Sequence, residues 1–262
     1  MPLSPSLRRL ALAALGLLTP LAILAVLSPH VALSPWASFA VAFGACSVAI
    51  ALCAALSPSG WLCEPRVAAR VALVGALLVA LSLVLTPRLS GLSGSLGLAL
   101  VSLCVGSLVG RRVESIGHLP AVFLVSSAMD LWSVTSPSGP TRAVTRNPAL
   151  LRLLTVSVVP PGDTAPHPVI GFADVAFAAL YLAAVARFGL PMKRAAALVF
   201  LGLAASGMLA MTLQRPVPAL PLLGAAVVLG RPETGRVPQR DRVATALAGL
   251  LLAVSFARAV TR

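Results

Sequence analysis

Long apolar runs separated by short polar gaps are the feature that most limits what this chain can fold into. A helix that spans a membrane needs about 20 mostly apolar residues, and nine segments approach or reach that length. The pattern predicts an all-α fold, a polytopic transmembrane bundle of about nine spanning helices. The nine segments are residues 10–27, 36–56, 67–86, 91–110, 119–135, 169–188, 195–213, 217–230 and 243–260.

Composition points to the same class of protein. Of the 262 residues, 58% are hydrophobic and 10% are charged, and the mean hydropathy is +0.98. A soluble domain carries about 25% charged residues, so the polar surface is too small for a water-soluble globule. The net charge of +13 does not indicate nucleic acid, because the basic residues lie in the gaps between apolar runs. The expected partner is the lipid bilayer. Heavy use of Ala, Leu and Arg suggests a GC-rich bacterial genome, so the expected location is the bacterial inner membrane.

The distribution of Lys and Arg predicts an orientation. With the N-terminus on the inner side, alternate gaps place thirteen basic residues inside and seven outside. The positive-inside rule therefore favours an inner N-terminus. The longest gap, residues 136–168, is then an outer polar insertion rich in Pro, Ser, Thr and Arg.

Two aspartates, Asp130 and Asp174, lie inside apolar segments. An acid at mid-membrane costs about 2.5–3.5 kcal/mol, so it usually faces the bundle interior and has a function. The structural alternative is an aspartate that caps a helix or bonds to a neighbouring hydroxyl, such as Ser126 or Ser127.

The depth of the two aspartates suggests that they work as a pair. Asp130 precedes the apparent helix end at Thr135 by five residues, and Asp174 follows the apparent helix start at Val169 by five. Both are then about 7–8 Å from the same membrane face. Because the helices are consecutive and antiparallel, the two carboxylates can meet. A carboxyl pair that shares one proton suits acid–base activation of a water.

A third element begins the 217–230 segment. Prolines at 216, 218 and 221 disrupt its first turn. Pro218, Ala219 and Leu220 are expected on the same side as the aspartates, where backbone groups next to a cavity can hold an extended substrate strand. Taken alone, this is an ordinary proline-bounded helix start.

These elements together resemble the intramembrane aspartyl proteases presenilin and signal peptide peptidase. The matching features are Asp130, the GFAD sequence that ends at Asp174, and the PAL sequence of residues 218–220, in that order. Residues 136–142, SPSGPTR, also resemble the stretch that follows the first aspartate in presenilin. The resemblance covers residues 119–230. Two positions differ from the family: Ala173 replaces the second glycine of GxGD, and Met129 replaces the usual tyrosine.

The resemblance implies a presenilin-like fold and an endopeptidase that hydrolyses membrane-spanning peptide or protein substrates. Asp130 and Asp174 would be its catalytic residues, with no metal or organic cofactor. Residues 1–118 would form an N-terminal bundle, 119–230 the catalytic-type region, and 231–262 a polar loop with an extra helix. The cleft residues would be Gly171, Phe172, Ala173, Pro218, Ala219 and Leu220.

Other functions fit parts of the pattern. Gly91–Gly94 matches the GxSG of rhomboid serine proteases, but no later predicted helix contains the histidine that they need. Small residues at helix ends usually permit close packing. The main alternative is an inactive protein on a presenilin-like fold, a channel, or a proton or cation transporter, since an intramembrane carboxylate pair also suits ion movement.

Overall fold

Helices dominate the part of the chain that the computed structural model describes. The described residues are 33–56, 65–85, 87–163, 165–230 and 239–260, with Val237 and scattered positions between 15 and 31. The helices are α1 (Pro35–Leu56), α2 (Pro65–Ser82), α3 (Pro87–Gly110), α4 (Leu119–Thr135), α5 (Pro140–Arg146), α6 (Pro148–Leu154), α7 (Phe172–Arg187), α8 (Met192–Leu213), α9 (Leu220–Gly230) and α10 (Arg242–Val260). Two strands, β1 (Thr155–Val158) and β2 (His167–Gly171), form an antiparallel hairpin.

The all-α class is confirmed, whereas the count of nine spanning helices is not. By length and composition, four described helices can cross a membrane: Pro35–Ala55, Pro65–Ser82, Leu89–Gly110 and Met192–Leu213. A fifth is added if α4 and α5, bent by 44°, are one broken span. The segment predicted at 10–27 lies outside the described residues apart from scattered positions.

The polar gap at residues 136–168 is largely structured, and the predicted helix start at Val169 is wrong. The gap contains α5, α6 and β1, and β2 extends to Gly171, so α7 begins at Phe172. Val156 pairs with Ile170 and Ser157 with Pro168 across an irregularity in the register. Asp174 is therefore two residues from its helix start, not five.

Contacts divide the chain into two compact units. Unit 1 comprises residues 1–111 and 149–196, and unit 2 comprises residues 112–148 and 197–262. The division into N-terminal bundle, catalytic-type region and C-terminal helix stays a prediction based on the order of the motifs.

In unit 1, α7 is the most enclosed helix. Nine of its sixteen residues are buried, and it packs against α3 and α1. The approach of α3 depends on Gly106 and Gly110, which lie one turn apart. A Cβ at these glycines would overlap the backbone carbonyls of Ala176 and Leu180. Small residues four apart are the usual means of bringing two membrane helices into backbone contact.

The hairpin of unit 1 is attached to α3 by one serine. The Ser95 hydroxyl donates to the Ser157 carbonyl and accepts from the Ser157 amide, both at 2.7 Å. Pro168, opposite Ser157 in the register, has no N–H to donate. Ser95 therefore satisfies the backbone polar groups of Ser157 in a buried place, and it fixes β1 on α3.

In unit 2, α4 packs against α9 and α10. Gly224 faces Phe123, because a Cβ at Gly224 would lie 3.2 Å from the Phe123 Cβ. Where α4 and α10 begin, Nε2 of His118 lies 3.0 Å from Oδ2 of Asp241. These contacts arrange α9 and α10 around the helix that carries Asp130.

Candidate functional site

Asp130 lies on α4, and its distance from the helix end agrees with the sequence. The helix ends at Thr135, five residues further along, and the Asp130 side chain is half-buried. The neighbouring Ser126 hydroxyl is not its partner, because it donates to the Val122 carbonyl at 2.6 Å. The Ser126 hydroxyl therefore does not hold the Asp130 carboxylate in place.

The partner of Asp130 is the backbone at the start of α9. The Leu220 N–H donates to Oδ2 of Asp130 at 3.0 Å, across 90 positions of sequence. The neighbouring Ala219 N–H also faces this carboxylate. Both donors belong to the PAL sequence, so unit 2 unites the first aspartate with the third element of the predicted site.

The local sequence explains why this helix start is open to a partner. Residues 216–218 have no regular structure and the helix begins at Leu220. The first N–H groups of a helix have no acceptor within the helix, and Pro221 has no N–H at all. A carboxylate at this end satisfies the available donors and complements the positive end of the helix dipole. Asp130 thus caps α9 from another helix.

Asp174 occupies a comparable position on its own helix. It is the third residue of α7, and Gly171 is the N-cap with extended backbone angles of −74° and 155°. The Gly171 N–H donates to Oδ2 of Asp174 at 3.2 Å. A Cβ at Gly171 would lie 3.2 Å from that oxygen, so glycine leaves the carboxylate the space it needs. Asp174 reaches back to the N-cap, as in one half of a capping box.

The predicted cleft residues divide between the two units. Gly171, Phe172, Ala173 and Asp174 belong to unit 1, while Asp130 and the PAL sequence belong to unit 2. Ala173 is exposed and Phe172 is partly buried. Pro218 and Ala219 are partly buried and Leu220 is 3% exposed. Each aspartate is therefore half-buried at a helix N-terminus, with backbone N–H groups on one side.

The GxSG sequence has a packing role. The Ser93 hydroxyl donates to the Ser90 carbonyl within α3. A Cβ at Gly94 would lie 3.2 Å from the Ser82 hydroxyl, and a Cβ at Gly91 would lie 2.9 Å from Pro166. Glycine at these two positions therefore allows α2 and the hairpin to approach α3 closely.

The described residues contain no cluster of side chains that suits metal binding or thiol chemistry. No group of three or more His, Cys, Asp or Glu side chains lies close enough there to hold a metal ion. Cys46, Cys53 and Cys104 are buried and form no disulfide with one another, as expected for small apolar packing residues.

Sequence reasoning missed two features of unit 1 and one of unit 2. The hairpin before Asp174 and its Ser95 attachment were hidden because short apolar runs fit a strand as well as a helix. His118 and Asp241 lie close together although they are far apart in the sequence, and no local sequence pattern indicates their contact.

A comparison with family models, curated sequences and solved structures found no match.

Proposed function

We propose that this chain is an intramembrane aspartyl endopeptidase related to presenilin and signal peptide peptidase. It would be a multi-pass protein of a bacterial inner membrane, and its substrates would be membrane-spanning peptides or proteins. Asp130 and Asp174 would activate the hydrolytic water together, without a metal or organic cofactor.

The contact between Asp130 and Leu220 is the observation that carries this proposal. It joins two of the three motif elements, which are far apart in sequence, by a direct hydrogen bond of 3.0 Å. A channel or a proton pathway needs a carboxylate, but it does not need that carboxylate bound to the main chain of a PAL sequence. A protease does benefit, because a backbone donor fixes the orientation of its catalytic acid.

The proposed chemistry uses ordinary acid–base roles. One carboxylate takes a proton from water as its oxygen attacks the scissile carbonyl carbon, and the other carboxyl gives a proton to the carbonyl oxygen. Breakdown of the tetrahedral intermediate returns the hydroxyl proton and protonates the leaving nitrogen. Backbone donors at Leu220 and Gly171 fix the orientation of Asp130 and Asp174. Gly171, Phe172 and Ala173 would shape the cleft, and Pro218 and Ala219 would position the substrate.

Cleavage of a single-span reporter in liposomes tests the proposal. The purified full chain is reconstituted with the reporter, and products are identified by mass spectrometry. Wild type should cleave, and Asp130→Ala and Asp174→Ala should each lower the rate by at least about 100-fold, as expected for loss of an acid–base group. Asp163→Ala is the matched control, because Asp163 is an exposed aspartate of unit 1 that pairs with His167 at 2.6 Å.

The control variant should cleave like the wild type. Cleavage that survives either Asp130→Ala or Asp174→Ala would refute the aspartyl mechanism.

An inactive protein on this fold is the second candidate, and one observation favours it. Both aspartates already serve as helix caps, each accepting backbone N–H groups, and Ala173 replaces a glycine of the motif. Absence of cleavage by wild type in the reporter assay would support this candidate. Proton or cation flux into the same liposomes, abolished by Asp130→Asn, would identify a transporter or channel instead.

A further inference from the structure

Unit 1 has its charges sorted between its two ends. Ala68 and Val71 near the start of α2 pack against Leu100 and Cys104 near the end of α3, so these two helices are antiparallel. Gly106 meets Ala176 and Gly110 meets Leu180, so α3 and α7 are parallel. The start of α2 and the ends of α3 and α7 therefore share one end of the unit, which we term the basic end.

Among the described residues of unit 1, the basic end carries the larger share of the positive charge. Its described basic residues are Arg66, Arg70, Arg111, Arg187, Lys193 and Arg194. The two described acids of the unit, Asp163 in the hairpin turn and Asp174 at the start of α7, belong to the opposite end. A surface with this excess of positive charge attracts anionic groups.

On α2 the positive charge continues into an apolar stripe. Arg66, Arg70, Leu73, Leu77 and Leu81 are three or four residues apart, which is the spacing of a single helix face. All five are exposed, with Leu73 at 61% and Leu77 at 60%. We term these five residues the α2 lipid face.

The opposite side of the same helix holds its contacts with unit 1. The buried residues of α2 are Ala68, Val71, Gly75 and Ser82. Among the described residues, neither Arg66 nor Arg70 pairs with an acidic side chain. Among the described residues of unit 1, the α2 lipid face is therefore an outward surface that carries positive charge at one end.

The part of this face from Arg66 to Leu77 matches the depth of half a bilayer. Arg66 and Leu77 are eleven residues apart, about 16 Å along a helix axis. The hydrocarbon core of one leaflet is about 15 Å deep. Arginines at the headgroup level and leucines beside the acyl chains match both parts of one lipid molecule. Arginine binds phosphate by paired N–H groups, and its aliphatic stem packs on apolar surface.

We propose that the α2 lipid face binds an anionic phospholipid, with Arg66 and Arg70 on its phosphate and Leu73 and Leu77 against an acyl chain. The occupant is a lipid and not a free phosphate, because the apolar stripe continues directly from the two arginines. The proposal is independent of proteolysis, since it uses no residue of the aspartate or PAL elements.

Native mass spectrometry of the full chain in detergent tests this proposal. Phosphatidylglycerol and phosphatidylcholine are titrated separately, and the fraction of protein that retains one lipid is measured. The wild-type protein should retain phosphatidylglycerol more strongly than phosphatidylcholine. Each arginine near an anionic surface contributes about fivefold, so Arg66→Gln with Arg70→Gln should weaken retention by about 30-fold. Retention of phosphatidylcholine should not change.

Three controls make the result specific. Arg152→Gln removes an exposed arginine at the opposite end of unit 1 and should keep wild-type retention, whereas Arg70→Gln alone should lose about fivefold. Arg66→Lys with Arg70→Lys keeps the charge and should retain most of the binding. Addition of inorganic phosphate at equal concentration should not displace the lipid.

The proposal is overturned by any of three results. These are equal retention of the two lipids by wild type, unchanged retention by the double glutamine variant, and an equal loss in Arg152→Gln. Thermal melting of each variant in detergent confirms that it is folded, which is expected because Arg66 and Arg70 are exposed.

Discussion

The Asp130 carboxylate on α4 caps α9 through the backbone N–H of Leu220, with an N···O distance of 3.0 Å. One side chain is thus assigned a structural role by its geometry and a catalytic role by the proposal. The two roles need different things from it, since a cap needs only an acceptor oxygen, while acid–base work needs a group that gains and loses a proton.

Substitution of Asp130 can therefore separate the two roles. Asp130→Asn keeps an acceptor oxygen and should stay within about 0.5 kcal/mol of wild-type stability, whereas Asp130→Ala should lose about 1 kcal/mol as a removed cap. Both should lack cleavage of the single-span reporter. Stability is measured by thermal unfolding in detergent. Full cleavage by Asp130→Asn would show that Asp130 acts only as a helix cap and not in catalysis.

The backbone donor can be tested from the other partner. Leu220→Pro removes the N–H, at a first helical position that tolerates proline, and Leu220→Ala keeps it while trimming the same buried side chain. If the hydrogen bond orients Asp130 for catalysis, cleavage should fall about tenfold further in Leu220→Pro than in Leu220→Ala, equivalent to about 1.4 kcal/mol of barrier. Equal rates in the two variants would show that the bond does not matter for turnover.

The hairpin of unit 1 should depend strongly on Ser95. Ser95→Ala leaves both the N–H and the C=O of Ser157 without their buried partner, which should lower the free energy of unfolding by about 2 kcal/mol. Ser102→Ala is the matched control on the same helix. The Ser102 hydroxyl is buried but bonds only to the Leu98 carbonyl of its own helix, so its loss should cost less than about 1 kcal/mol. Unfolding in detergent compares the two.

The contact between α3 and α7 should not tolerate a methyl group. Gly106→Ala places a Cβ on the Ala176 carbonyl, and overpacking of this kind costs about 1–3 kcal/mol. Gly44→Ala on α1 is the matched control, because nothing lies within 4 Å of a Cβ at that glycine. It should stabilise the protein by about 0.5–1 kcal/mol through helix propensity. A loss of stability in both variants would contradict the packing described for Gly106.

Introducing the second glycine of the GxGD motif at Ala173 should increase cleavage if the proposed function is correct. Ala173 is exposed beside Asp174, so Ala173→Gly removes a methyl group from the proposed cleft, and a tenfold faster rate would correspond to about 1.4 kcal/mol. Ala186→Gly, near the other end of α7, matches the loss of helix propensity without touching the motif. Acceleration in Ala173→Gly but not in Ala186→Gly is the expected outcome of the reporter assay.

The sequence correctly predicts the helix boundaries that depend on residues adjacent to them in the chain. The end of α4 at Thr135 was correct because Ser136, Pro137 and Gly139 follow it. The irregular start before Leu220 was correct for the same reason, since prolines surround it.

What the sequence does not predict is pairing between distant segments. Val169 and Ile170 suit a helix or a strand equally, and only the pairing of their segment with β1, in which Ile170 lies opposite Val156, makes it a strand. The specific bond from Leu220 to Asp130 likewise depends on how α4 and α9 pack. The count of nine spans is not confirmed, since four described helices, or five with the bent pair, are long and apolar enough to cross a membrane.

The burial of α7 has a consequence for how the chain is made. At 16 residues it is about 24 Å long, short of the roughly 30 Å hydrocarbon core. Its partners α1 and α3 come earlier in the chain, so the ribosome has already delivered them when α7 emerges. We therefore expect α7 to enter the membrane through contact with these earlier helices rather than through its own affinity for lipid. A defect in the assembly of α1 and α3 would then leave α7, and Asp174 with it, without its packing partners.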